Sequence, residues 1–150
     1  MLSKRWFRRL AMLPILAVLL YAGTQLVLSQ DSAKTYKDDA TGLLWAAKDN
    51  GSDVNWNQAN NYCRNLSLEG QRDWRLPTTK ELKTVYDKKE KKLFKSKAPI
   101  ELTSEIVWAE PTGSGEAWAV NFLNGSTSLL PTMGGCSSTG RALCVRGSGE

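Results

Sequence analysis

The chain is 150 residues long, 41% hydrophobic and 23% charged, the size and balance of one compact domain, which excludes a multidomain enzyme. Its net charge of +5 comes largely from Lys4, Arg5, Arg8 and Arg9; residues 31–150 carry 16 basic and 15 acidic groups, so a globally basic nucleic-acid binder is excluded. Histidine is absent, which removes Ser-His-Asp and Cys-His nucleophile pairs and every His-ligated metal site.

The basic stretch Lys4–Arg9 runs into an apolar segment, Leu10–Leu28, whose one strongly polar interruption is Thr24-Gln25. Nineteen residues lie between the core of a signal peptide and a membrane-spanning helix. Val27 and Ser29 are small enough for the −3 and −1 positions of a signal-peptidase site that would release a chain beginning at Gln30. Left uncleaved, residues 10–28 are a membrane anchor with the basic block on its cytoplasmic side. Both readings export residues 31–150, to the periplasm or the cell surface.

Export gives the three cysteines a meaning, because disulfides persist in oxidising compartments. Cys63 lies on an expected helix and Cys144 in the last apolar segment, so pairing them would tie the start of the domain to its end. Cys136 is then left over, as a small loop side chain, a buried thiol or the partner of another chain.

Residues 31–40 are polar and read as a linker leading to Thr41-Gly42-Leu43-Leu44-Trp45, a turn and a strand. Ala59, Tyr62, Cys63 and Leu66 follow the i, i+3, i+4, i+7 spacing of an amphipathic helix with this face inward, and Gly70 lies in the turn after it. Asp73-Trp74-Arg75-Leu76-Pro77 is extended, since the residue before proline avoids helical angles. Trp74 and Leu76 point to one side, Asp73 and Arg75 to the other, and the latter two read as a partly buried ion pair that fixes a structural hinge, with ligand contact as the alternative. Thr78-Thr79-Lys80-Glu81 is a capping box opening a second helix that buries Leu82, Val85 and Tyr86 and ends within the lysine run.

Strands follow. Ile106-Val107-Trp108 is a short apolar run; Trp118, Val120 and Phe122 alternate up to Asn124-Gly125, a strong hairpin signal. A Gly/Ser-rich loop, residues 132–140, precedes a closing strand from Ala142 to Arg146. Two helices followed by a meander of strands make the domain α+β.

TGLLW at 41–45, Trp56 with Ala59 and Tyr62-Cys63, Gly70 with DWRLPT at 73–78, Glu81-Leu82, AWAVNF at 117–122, Asn124-Gly125 and CVR at 144–146 form an ordered set. This set resembles the Lcl C-terminal domain family, exported bacterial modules named after a collagen-like adhesin. DWRLPT followed by Glu-Leu is the most specific element; related strings occur in formylglycine-generating enzymes. The resemblance implies a C-type-lectin-like fold with two helices and a small antiparallel sheet, adjacent N- and C-terminal strands, and a disulfide from the first helix to the last strand, where Cys63 and Cys144 fall. With the N-terminal reading, this gives a signal peptide or anchor at residues 1–30, a linker at 31–35, the domain at 36–147 and a tail at 148–150. The chain departs from the family between Tyr86 and Ile100, which is unusually rich in lysine, and at Val107-Trp108-Ala109-Glu110, where a Trp/Ser-rich stretch is common.

Lectins of this fold bind calcium through clustered oxygen ligands around a Glu-Pro-Asn type triplet. Glu110-Pro111-Thr112 is a partial echo without a second oxygen cluster, and a solvated Glu before a loop proline is the better reading. The cysteine pair needed for formylglycine-type chemistry is not available if Cys144 joins Cys63, and no local acid/base pair stands out. The expectation is a non-catalytic module with neither metal nor cofactor.

Residues 80–97 hold eight lysines against Glu81, Asp87 and Glu90. Lysines at a helix C-terminus complement its dipole and would form a solvated face. The sharper reading makes Lys88, Lys89, Lys91, Lys92, Lys95 and Lys97 an anion-binding surface for an acidic polysaccharide or envelope glycan, since lysines meet polyanions as point charges. The alternative is a membrane-anchored accessory subunit whose domain docks onto an envelope protein partner, with no nucleic acid involved in either case.

Overall fold

The computed structural model describes residues 34–132 and 140–147. Two helices and two three-stranded antiparallel sheets confirm the α+β reading, with two small sheets in place of the single one expected. One sheet is ordered β1-β2-β6, from β1 (Thr35–Lys37), β2 (Leu44–Ala46) and β6 (Val145–Arg146). The other is the meander β3 (Ile106–Pro111), β4 (Glu116–Asn121) and β5 (Thr127–Pro131). A parallel bridge between Val107 and Arg141 connects β3 to the segment that leads into β6. The helices are α1 (Trp56–Asn65) and α2 (Thr79–Val85).

β1 corrects the linker. Thr35, Tyr36 and Lys37 are polar or aromatic and carry no run of apolar residues, yet they pair with Ala46, Trp45 and Leu44, so the domain starts before residue 36. Pairing across a sheet edge needs only backbone groups and a tolerant side-chain pattern, which a polar edge strand supplies.

The core follows from side-chain alternation on strands covered on both faces. Leu43, Trp45, Val107, Ala109, Val120, Phe122, Leu143 and Val145 fill one buried cluster with Leu82 and Val85 of α2. The intervening residues Ala46, Trp108, Ala117, Ala119, Ala142 and Cys144 fill a second cluster with Ala59 and Cys63 of α1. The two helices therefore cover opposite faces of the strands. Alanine dominates the α1 side because the Trp74 and Trp108 rings already occupy it. Their indole N–H groups donate to Gln71 O at 3.1 Å and Val54 O at 2.8 Å, so two large rings are buried without orphaned donors. Gly140 is required by the same packing: a Cβ there would overlap the Trp108 ring.

Two local expectations change. Tyr62 is not on the inward face of α1; it is 40% exposed, and the helix buries only Ala59 and Cys63. The hairpin between β4 and β5 is wider than a two-residue Asn-Gly turn: Asn121 N–H donates to Ser126 O at 2.8 Å and Gly125 N–H to Asn121 O at 2.7 Å. Gly125 has φ +77°, and its missing side chain leaves room for the Tyr86 ring, which packs edge-on against Phe122.

The Cys63–Cys144 disulfide is present, with Cα atoms 5.4 Å apart. Residues 1–30, with the expected leader or anchor, Cys136, and the 148–150 tail lie outside the described residues. Among the described residues no helix is long and apolar enough to cross a membrane.

Candidate functional site

The lysines from Lys88 to Lys97 are not helical. Tyr86 leaves helical geometry with φ −81° and ψ 127°, its N–H donating to Leu82 O, so α2 stops at Val85, ahead of all six candidate lysines. They stand on a loop and complement no helix end. Asp87 N–H donates to Lys95 O and Lys97 N–H to Val85 O, both at 2.8 Å, closing the base of the loop, and Lys95 N–H donates to Phe122 O at 2.8 Å. Half-buried Phe94 and buried Ser96, whose hydroxyl donates to Ile100 O, fix the returning limb against the core.

This geometry divides the six lysines. Lys88, Lys89, Lys91 and Lys92 are exposed, beside Leu93, which is 71% exposed, and Lys92 Nζ donates back to Ile100 O at 3.4 Å. Lys95 and Lys97 are half-buried on the returning limb, and Lys95 Nζ donates to Glu90 O at 3.2 Å. The two acids of the loop, Asp87 and Glu90, offset only part of this charge and pair with none of the lysine ammonium groups. The Asp87 and Glu90 carboxylates accept the backbone N–H groups of Lys89 and Lys91, each at 2.9 Å, and Glu81 is held by Arg75. Among the described residues none of these lysines forms an ion pair. The result is a rigidly based loop carrying exposed, unpaired positive charge.

The DWRLPT segment packs into the fold, and Arg75 pairs with Glu81 rather than with the expected Asp73. Trp74, Leu76 and Pro77 are buried, and Arg75 exchanges backbone hydrogen bonds with Val145 at 2.9 Å each way. Arg75 donates both terminal nitrogens to Glu81, at 2.8 and 2.7 Å, and Nη2 also reaches Gly147 O at 2.7 Å. Asp73 is not its partner. It is exposed and has φ +64°, a left-handed conformation in place of the expected extended one. Burial pushes the Glu81 carboxyl up, but the Arg75 hydrogen bonds, the Thr78 N–H and the Arg75 charge outweigh it and hold Glu81 below its ordinary value. Thr78 and Glu81 complete the capping box.

Glu110, expected to be solvated, also belongs to this structural set: its carboxylate accepts the Thr79 N–H at 2.6 Å and the Thr79 hydroxyl at 3.0 Å. Both carboxylates that meet the start of α2 are thereby committed.

A shallow groove of ≈590 Å³ on the α1 side went unrecognised in the sequence. It is lined by Asn50, Gln58, Asn61, Tyr62, Asn65 and Ser67 among others, none of them charged. The available signal was the run Asn55, Asn57, Gln58, Asn60, Asn61 and Asn65, an amide density unusual for a helix. Burial first, and the Asp49 carboxylate second, raise the Tyr62 hydroxyl above its ordinary pKa, keeping it a neutral phenol.

A family model described as the Lcl C-terminal domain matches residues 34–146, a span that starts one residue before β1 and ends with β6. No curated protein matches the chain.

Proposed function

The chain belongs to the Lcl C-terminal domain family, and from that premise we propose that it is an exported, non-catalytic binding module whose lysine loop holds an acidic polysaccharide or envelope glycan. The observation that carries the reading is the set Lys88, Lys89, Lys91 and Lys92, exposed on one firmly based loop while the neighbouring acids are turned to backbone N–H groups. Such a loop attracts sulfate or carboxylate groups along a flexible polymer without demanding one geometry. A family named for an adhesin, the disulfide, and the leader-like residues 1–30 support export.

β6 pairs with β2, with β2 between it and the N-terminal strand β1, so the expected adjacency of the first and last strands is not met; the helices on opposite faces and the helix-to-strand disulfide support a C-type-lectin-like arrangement. The absence of histidine and the engagement of Glu81 and Glu110 in helix capping support binding over catalysis.

Heparin is the test polyanion. The chain should be retained on it in low salt and released as salt rises, since exposed charges are screened beyond about 8 Å at physiological ionic strength. Replacing Lys88, Lys89, Lys91 and Lys92 together by Gln should abolish retention and change stability by less than about 0.5 kcal/mol per site. Wild-type protein that flows through in low salt, or a quadruple variant retained as well as wild type, overturns the reading.

A further inference from the structure

Five of the ten residues of α1 are Asn or Gln, although Asn is among the weaker helix formers and Glu, Lys or Ala would suit its exposed positions better. Three of them, Gln58, Asn61 and Asn65, line the groove, whose walls carry no charged residue in a chain that is 23% charged. Part of its hydrogen-bonding capacity serves the fold. Asn50 donates to Ser52 and accepts from Ala142 N–H, Gln58 Oε1 caps the helix by accepting Asn55 N–H, and Asn65 Nδ2 donates to Asn61 O.

On the residues that line the groove, Gln58 Nε2, Asn65 Oδ1, the whole Asn61 amide and the Tyr62 hydroxyl have no hydrogen-bond partner among the described residues. The Tyr62 ring, 40% exposed, adds an apolar platform.

No charged side chain lines the groove to pair with a charged ligand, and an apolar one would leave several amides unpaired at a cost. The matching chemistry is a molecule dense in hydroxyls that both donate and accept, with an apolar C–H face for the ring. We propose that this groove binds a neutral carbohydrate chain, with Tyr62 stacking on a sugar face and Gln58, Asn61 and Asn65 bonding its hydroxyls. The site is independent of the lysine loop. α1 packs on the cluster containing Ala117, Ala119 and Cys144, whereas Tyr86, Phe94 and Ile100 of the loop region belong to the other one, across the strands. A ligand carrying both neutral and acidic stretches could therefore engage two opposed faces.

The test uses the full chain with its disulfide intact, in a detergent without a sugar head group, titrated with neutral hexasaccharides of glucose, mannose and N-acetylglucosamine. At least one should bind saturably, with an affinity unchanged by added salt, and should shift the side-chain amide signals of Gln58, Asn61 and Asn65. Tyr62→Ala should weaken binding about tenfold while Tyr62→Phe, which keeps the ring, retains most of it. Heparin retention should be untouched by either variant, and the quadruple lysine variant should bind the neutral sugar as wild type does. Three results overturn the proposal: no saturable binding to any of the probes, binding that salt or the lysine variant abolishes, or a Tyr62→Ala variant that binds like wild type.

Discussion

Arg75 is held in place by contacts from four parts of the chain: Leu76 O, the Glu81 carboxylate, the Val145 backbone and Gly147 O. A planar guanidinium with five donors suits this role in a way that lysine would not. Because Glu81 is held below its ordinary value of 4.5, its contribution to stability is fully present above that pH and is lost as pH falls through the depressed native value. In denaturant unfolding followed against pH, wild type should therefore lose its advantage over Glu81→Gln in that acid window, and Glu81→Gln should cost about 2 kcal/mol at neutral pH. A difference between the two proteins that stays constant down to strongly acid pH would contradict this. That Arg75 forms an ion pair was legible in DWRLPT, but its partner was not. Asp73 stands two residues away, as a partner on an extended segment would, until its left-handed φ of +64° breaks that relation. Glu81 reaches Arg75 only because the capping box turns it back over the helix start.

At the scale of elements, α2 is the instructive case. Seven residues are too few for a helix to persist on local hydrogen bonds, so its ends and its buried face must hold it. Leu82 and Val85 supply the face, and Thr78, Glu81 and Glu110 supply the N-terminus, where carboxylates also oppose the positive end of the helix dipole. Glu110→Ala should therefore destabilise the protein by about 1–2 kcal/mol in chemical denaturation and raise amide exchange at Thr79. Unchanged stability and unchanged Thr79 exchange would show that the Glu110 contact is incidental. The capping box was readable because its residues are three apart in sequence. Glu110 was not, because it arrives from β3, thirty-one residues from Thr79, by strand placement alone. The end of α2 was misjudged for a related reason: lysines are good helix formers, and the stop at Tyr86 comes with pairing to Ser96 and an edge-on contact with Phe122.

Over the whole molecule, the disulfide joins residues 81 apart, linking α1 to the segment that enters β6. In the chain-entropy account a closed loop of that size stabilises by about 4 kcal/mol, a large share of the total for a domain this small. The Cys63→Ala, Cys144→Ala double variant should lose about that much in equilibrium unfolding, with the greatest increase in amide exchange at β6 and its partners. Loss of less than about 1 kcal/mol would mean that the two core clusters alone hold the termini together.

The division between what is local and what is assembled explains where sequence reading succeeded. The capping box at Thr78–Glu81, the α+β order of elements and the family motif are all carried by residues near one another in the chain, where composition, spacing and local hydrogen bonding act directly. The sequence by itself therefore determined the class of the domain and its family. Tertiary structure decided which face each residue serves: Tyr62 outward beside the amides, Glu110 onto α2, Lys88 and Lys89 on a loop, and a polar stretch recruited as β1. These outcomes depend on contacts between distant segments, and no local preference encodes a contact whose other half lies tens of residues away.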